Sequence, residues 1–204
     1  MIFPTLNIEK KLWSLGYNYI CGLDEVGRGC FAGPVCVGAV IFPKDCELLE
    51  GLADSKLLKP RQREQLAVRI KNQAVNWTVA EVGVATINKL GIGKATQMAF
   101  RKATKLLDQH PDYILIDAFY IRHLRRIRQK AVADGDKICA SISAASIIAK
   151  VYRDKLMKKL AVKYPLYKFG KHKGYGTKFH QEAIRKYGLS KIHRTSFNLS
   201  RFMI

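Results

Sequence analysis

Four short apolar runs bounded by turn residues set most of the limits on what this 204-residue chain can become: NYICGLDEV at 18–26, VCVGAVIF at 35–42, WTVAEVGVATI at 77–87 and DYILIDAF at 112–119. Their lengths and β-branched content are those of strands. The first two are separated only by the turn GRGCFAGP and read as a hairpin-like pair; the later ones alternate with helical patterns. One helix opens at Pro60, a favourable first-turn position, and carries Leu66, Ala67, Ile70 and Ala74. A second runs from Ile92 to Leu107, with Ala95, Met98, Ala99, Ala103, Leu106 and Leu107 on one face and His110-Pro111 closing it. A third covers Ser143 to Lys163, packs through Ile147, Ile148, Val151 and Leu156, and stops before Pro165. Strand pair followed by strand–helix alternation predicts an α/β fold, a mixed β-sheet flanked by α-helices. From Tyr164 onward the chain is turn-rich and then briefly helical, an appendage on one domain spanning 1–204.

The chain carries 36 Lys/Arg against 16 Asp/Glu, a net charge of +20, which points to a polyanionic partner. The excess is uneven: residues 150–204 hold 15 basic residues against only Asp154 and Glu182. With glycines and aromatics interleaved in FGKHKGYGTKFH, this quarter reads as a surface that grips phosphates. No apolar run approaches the ~20 residues of a membrane span, and the opening MIFPTLNIEKKLW lacks the features of a signal peptide, so a cytoplasmic protein is expected. Cys21, Cys30, Cys36, Cys46 and Cys139 form no C-x-x-C pair and read as reduced, structural thiols.

Carboxylates occur where apolar residues are expected. Asp24 and Asp117 sit in or at the end of apolar strands, and Asp154 shares a helical face with Ile147, Lys150 and Val151. A lone buried carboxylate costs several kcal/mol unless it is paired, neutralised or bound to a cation. Each acid alone fits a salt bridge to one of the many arginines; several converging fit a metal better. Oxygen-only ligands favour Mg²⁺ or Mn²⁺, and no His/Cys spacing for zinc is present. One or two such ions can activate a water and stabilise the leaving oxygen of a phosphodiester. Glu25 poses a difficulty, because neighbours on a regular strand face opposite ways; the strand must bend at Gly27, or Glu25 must also use its backbone carbonyl. The glycines after it, Gly27, Gly29 and Gly33, are spaced G-x-G-x-x-x-G and lead into a strand, which excludes the dinucleotide-binding fingerprint.

Taken in order, GLDEVGRGCFAGPV at 22–35, ADSK at 53–56, YILIDA at 113–118, SISAASIIAKVYRD at 141–154, KGYGT at 173–177 and HRTSF at 193–197 closely resemble the ribonuclease HII family, from about Ile20 to Phe197. The resemblance implies an RNase H-like fold whose catalytic, metal-binding acids map to Asp24, Glu25, Asp117 and Asp154. It implies an endonuclease for the RNA strand of RNA/DNA hybrids that also cuts 5′ of single ribonucleotides in duplex DNA, as in ribonucleotide excision repair, leaving a 3′-hydroxyl and a 5′-phosphate. Gly27, Arg28 and Gly29 would read the 2′-hydroxyl, mainly through backbone groups, and Tyr175 would pack on the sugar that follows. Lys56 is expected to contact a phosphate; His193 and Arg194 are left between internal pairing and substrate contact. Cys30, where many relatives carry proline, and the basic linker FYIRHLRRIRQK at 119–130 depart from the pattern without touching the acids. Length and Arg28 favour the HII type over HIII. The tail FNLSRFMI faintly resembles a sliding-clamp-binding peptide, the rival being a hydrophobic tail packed on the domain. A monomer is expected. The rival functions are a non-catalytic nucleic-acid-binding module and a nuclease of the same broad fold with another substrate.

Overall fold

The computed structural model describes residues 3–203. The chain forms α1 (Asn7–Ser14), β1 (Ile20–Val26), β2 (Val35–Ile41), α2 (Pro60–Gln73), β3 (Asn76–Val82), α3 (Val84–Lys105), β4 (Tyr113–Asp117), β5 (Gln129–Val132), α4 (Gly135–Ile138), α5 (Ala140–Lys163), α6 (Phe169–His172) and α7 (Lys178–Tyr187), with short 3₁₀ turns between. The five strands make one sheet in the order β3-β2-β1-β4-β5. The β1–β2 and β2–β3 pairs are antiparallel; β1–β4 and β4–β5 are parallel. The sheet is therefore mixed, as the sequence predicts.

Besides α5, which begins at Ala140 rather than Ser143, two features of the sheet and its flanking helix differ from expectation. The apolar run 77–87 is not all strand: Gly83 ends the extended stretch, and Val84 to Ile87 begin α3. Ile87 is apolar because it is buried under the sheet, which makes a helix start look like strand by composition alone. Gly91, at φ +76, then kinks the helix where the sequence places its beginning. The other difference is β5, four residues at the end of the basic linker, whose QKAV lacks a strand-like apolar run.

Each sheet face has its own core. Cys21, Leu23, Val37, Ile41, Ile114 and Ile116 pack against Ala95, Ala99 and Phe100 of α3. On the other face Ile20, Val40 and Leu115 pack against α1, α2 and the amino-terminal half of α5. That half, ASISAASIIA, is buried all round, so it lacks a polar stripe. It lies against the sheet at two glycines: a Cβ on Gly22 would stand 2.1 Å from the Ser141 carbonyl carbon, and one on Gly38 would stand 2.2 Å from the Ala145 oxygen. Glu9 of α1 fixes where α5 begins, its Oε1 accepting the Ser141 N–H at 2.8 Å and the Cys139 thiol at 3.2 Å. A carboxylate at a helix start also meets the positive end of the helix dipole. A third cluster, Ala32, Met157, Tyr167, Phe169 and Ala183, joins the C-terminal segment to α5 and to the turn after β1.

Candidate active site

Strand register brings the first two acids together. β1 and β4 run parallel with Leu23 opposite Ile116, so the next residues, Asp24 and Asp117, lie side by side on the face covered by α5. Glu25, one residue on, has the parity of the opposite face, yet Asp24, Glu25 and Asp117 all line one cavity of about 250 Å³. β1 ends at Val26, Gly27 turns at φ +84, and Asp24 Oδ1 accepts the Glu25 N–H at 2.8 Å. At a strand end, beyond which the sheet no longer divides its two sides, a side chain as long as glutamate reaches the rim of the cavity.

The cavity is crowded with negative charge. Burial pushes the Asp24 carboxyl well above its usual range; the Glu25 charge adds to this, a hydrogen bond from Ser146 opposes it, and Asp117 and Asp136 raise it further. Burial moves Glu25 up to about 7, with Arg28 pulling the other way, and also raises Asp117, against the Gly135 N–H that donates to its Oδ1 at 2.7 Å. Asp136 is a site residue that the sequence did not mark. It is buried at the start of α4, lines the same cavity and accepts Lys56 Nζ at 3.1 Å. Its only signal is its place in the tight turn of DGDK. Lys56 thus stands at the cavity mouth, mostly exposed, with its amino group on Asp136.

Asp154 lies next door. Lys150, four residues earlier on α5, donates to Asp154 Oδ1 at 2.8 Å, and Arg63 Nη2 lies 3.9 Å from Oδ2. These residues line a neighbouring cavity of about 340 Å³, and Lys150 and Tyr175 form walls of both. The helical spacing that placed Asp154 on an inward face also gave it a lysine partner. Among the described residues no group of three or more His, Cys, Asp or Glu side chains is gathered tightly enough to hold an ion as they stand. Asp24, Glu25 and Asp117 nevertheless suit a hard divalent cation: all donors are oxygens, all three are raised by burial, and Glu25 Oε2 is buried with no hydrogen-bond partner.

The turn after β1 is held from beneath by two fully buried arginines. Arg194 donates to the carbonyls of Gly27 (2.6 Å), Arg28 (2.7 Å) and Gly33 (3.0 Å). Arg153 donates to those of Pro34 (3.0 Å), Ala32 (3.1 Å) and Lys173 (2.9 Å). A Cβ on Gly27 would meet Arg153 Nε at 2.1 Å, so both its positive φ and the close approach require glycine. A Cβ on Gly29 would meet nothing within 4 Å, which leaves its backbone open to a ligand. Arg28 points outward over the Phe119 ring at 4.6 Å and joins the acid cavity to a groove of about 710 Å³ that also holds Lys94, Arg101 and Arg122. Tyr175 is 38% exposed and stands 5.6 Å from Lys150 Nζ. His193 and Arg194 are both buried and internally paired, His193 Nε2 lying 3.0 Å from His180 Nε2. In the tail, Leu199 is buried and Phe202 packs on Phe31 with ring centroids 5.5 Å apart; Ile204 lies outside the described residues.

Comparison with known proteins places this arrangement. The chain is 46% identical to the ribonuclease HII of Dehalococcoides mccartyi over 198 residues, 96% of this chain and 93% of that one. Its fold matches the crystal structure of ribonuclease H2 from Pyrococcus horikoshii with a TM-score of 0.73 at 27% identity, covering 90% of this chain and 95% of that one. It also matches the ribonuclease HII of Archaeoglobus fulgidus, solved in complex with PCNA, with a TM-score of 0.70 at 24% identity over 86% and 92% of the two chains. The fold is RNase H-like. The ribonuclease HII family pattern matches residues 21–200, nearly the whole chain, and the protein belongs to that family.

Proposed function

We propose that the protein is a divalent-metal-dependent endonuclease that hydrolyses the RNA strand of RNA/DNA hybrids and cuts 5′ of single ribonucleotides in duplex DNA, leaving a 3′-hydroxyl and a 5′-phosphate. The observation that carries this is the unpartnered, buried Glu25 Oε2 in a cavity shared with Asp24 and Asp117, beneath a glycine turn. Asp24, Glu25 and Asp117, completed by Asp154, would hold one or two Mg²⁺ or Mn²⁺ ions, which supply charge neutralisation and activation of the attacking water. The backbone of the turn at Gly27, Arg28 and Gly29 would meet the 2′-hydroxyl, the group that separates RNA from DNA; Gly29 is its open position, while the Gly27 and Arg28 carbonyls are held by Arg194. Tyr175 packs on the following sugar, and Lys56 at the cavity mouth approaches a phosphate. Residues 164–204 extend the single catalytic domain as a basic grip on the duplex, in a monomeric, cytoplasmic protein.

The test is a DNA duplex with one ribonucleotide, incubated with Mg²⁺ or Mn²⁺. Cutting 5′ of the ribonucleotide is expected, with no cutting of the all-DNA control; an intact ribonucleotide strand refutes the proposal. Asp117→Asn should still fold and bind hybrid duplex but not cut, whereas retained cutting would reject the acid assignment. A sliding-clamp contact through the tail is the finer reading of the PCNA complex solved for the archaeal relative. A pull-down with the clamp should succeed with the full chain and fail when residues 201–204 are removed; no capture by the full chain ends this reading.

A further inference from the structure

Three histidines form one assembly under the KGYGT turn, His180 and His193 hydrogen-bonded to each other and His172 stacked on His180. The Ser190 N–H donates to His193 Nδ1 at 2.8 Å, so that nitrogen carries no proton and the ring's proton sits on Nε2. Nε2 faces His180 Nε2 at 3.0 Å and must be the donor there. The proton of His180 is then on Nδ1, where it donates to the Tyr175 carbonyl at 2.9 Å. The Ser190 hydroxyl, also 2.8 Å from His193 Nδ1, can act in either sense, but the amide N–H at that end can only donate and the Tyr175 carbonyl at the other can only accept, and these two set the tautomers. His172 stacks on His180, ring centroids 4.4 Å apart; its Nε2–H donates to the Tyr167 carbonyl at 2.8 Å and its Nδ1 accepts the Gly174 N–H at 3.2 Å. Two adjacent backbone groups of the turn, Gly174 N–H and Tyr175 C=O, thus each end on an imidazole.

The turn needs this support. Lys173 and Gly174 are both left-handed, at φ +54 and +85, and a non-glycine residue adopts that conformation only when its surroundings impose it. A protonated imidazole in the pair would set two N–H groups against each other, so the assembly exists only with neutral rings; burial pushes both His180 and His193 down to about 4, which keeps them neutral.

We propose that His180 and His193, with His172 stacked against them, are positioning residues that hold the Lys173–Gly176 turn and so set Tyr175 at the wall of the acid cavity. This rests on the proposed role of Tyr175 against the substrate sugar. None of the three imidazoles lines the cavity of Asp24, Glu25 and Asp117, and His180 and His193 also stay clear of the neighbouring Asp154 cavity, whose wall includes His172; His180 and His193 therefore act through the turn.

The test measures kcat/KM for cutting at a single ribonucleotide in the wild type, His180→Leu, His180→Asn, Tyr175→Ala and the His180→Leu/Tyr175→Ala pair. Thermal midpoints report folding. Asparagine keeps a donor near the Nδ1 position and leucine keeps none. His180→Leu should lose about five- to tenfold, the effect of one buried hydrogen bond felt at a positioned group. His180→Asn should recover most of the activity, and in the Tyr175→Ala background His180→Leu should lose nothing further. Should the leucine variant fail to fold, His180→Gln, which moves the donor away from the carbonyl, takes its place. Losses that multiply independently of Tyr175→Ala, an asparagine variant no better than its partner, or a Tyr175→Ala variant that cuts normally would each overturn the proposal. A wild type that does not cut refutes the proposed function instead.

Discussion

Replacing Glu25 with glutamine should make the metal-free protein more stable while abolishing cutting. Burial holds the Glu25 carboxyl at about 7 against an ordinary 4.5, so between those values the native state binds its proton more tightly than the unfolded chain does. Its contribution is therefore favourable below about pH 4.5 and declines as pH rises to about 7. Above that the loss is complete and constant, and measured against a neutral side chain such as glutamine this same loss is the whole penalty of ionised Glu25. At ~1.4 kcal/mol for each tenfold change in proton affinity, this displacement corresponds to ~3 kcal/mol. The neighbouring carboxyls Asp24 and Asp117 are raised too and act in the same direction. Thermal unfolding in chelator from pH 5 to pH 8 should show the wild type losing stability with rising pH. Glu25→Gln should show a shallower fall and a gain of ~2–3 kcal/mol at pH 8, and added Mg²⁺ or Mn²⁺ should stabilise the wild type more than the variant. A variant less stable than the wild type at pH 8, or an unchanged pH slope, would refute the view that Glu25 is held at the expense of stability.

Gly22→Ala should destabilise the fold by ~3 kcal/mol or more, because its Cβ would lie 2.1 Å from backbone of α5 and neither element can yield; an unfolding midpoint in urea within 0.2 M of wild type, a threshold equivalent to ~0.4 kcal/mol, would contradict the close packing. Arg194→Lys keeps the charge but cannot span the carbonyls of Gly27, Arg28 and Gly33 together. It should cost ~2–3 kcal/mol in thermal unfolding and slow cutting at single ribonucleotides; full activity would show that the turn holds its shape unaided. None of Lys94, Arg101 and Arg122, in the groove beside Arg28, has a carboxylate within 4.0 Å among the described residues. The pair Arg101→Ala and Arg122→Ala should weaken duplex binding and lower the salt dependence of log K by ~1–2, and an unchanged slope would place the duplex elsewhere.

The fold was legible wherever residue type and burial agree. The hairpin of β1 and β2 and the helix from Pro60 follow from apolar runs and a proline at a helix start. The strand–helix boundary at Gly83 was hidden because Ile87 is buried in a helix turn as strand residues are, and periodicity cannot separate the two over four residues. β5 was hidden because it takes its place by pairing with β4, Ile114 opposite Gln129, rather than by its own apolarity. The Gln129 side chain is itself absorbed, bonding the backbone of Ile121 and Leu124 and fixing the loop between the two strands.

The acids were legible because a carboxylate in an apolar strand violates a strong rule, and the supporting cations were not because they violate one that composition conceals. A net charge of +20 directs basic residues to the nucleic-acid surface, and the sequence left Arg194 between internal pairing and substrate contact without marking Arg153. Arg153 and Arg194 both face inward: each is wholly buried, neither pairs with a carboxylate among the described residues, and each donates to three backbone carbonyls. Carbonyl partners leave no mark in a sequence, since every residue has one. The same limit explains His180 and His193, whose bonds to each other and to Tyr175 need a distance no spacing encodes. It also explains Glu25, whose position at a strand end matters more than its parity within the strand. Side chains that answer to a pattern along the chain could be found beforehand; those that answer to partners placed by the fold could be found only afterwards. In this protein the second kind underlies the turn after β1, proposed to read the substrate, and the turn that carries Tyr175.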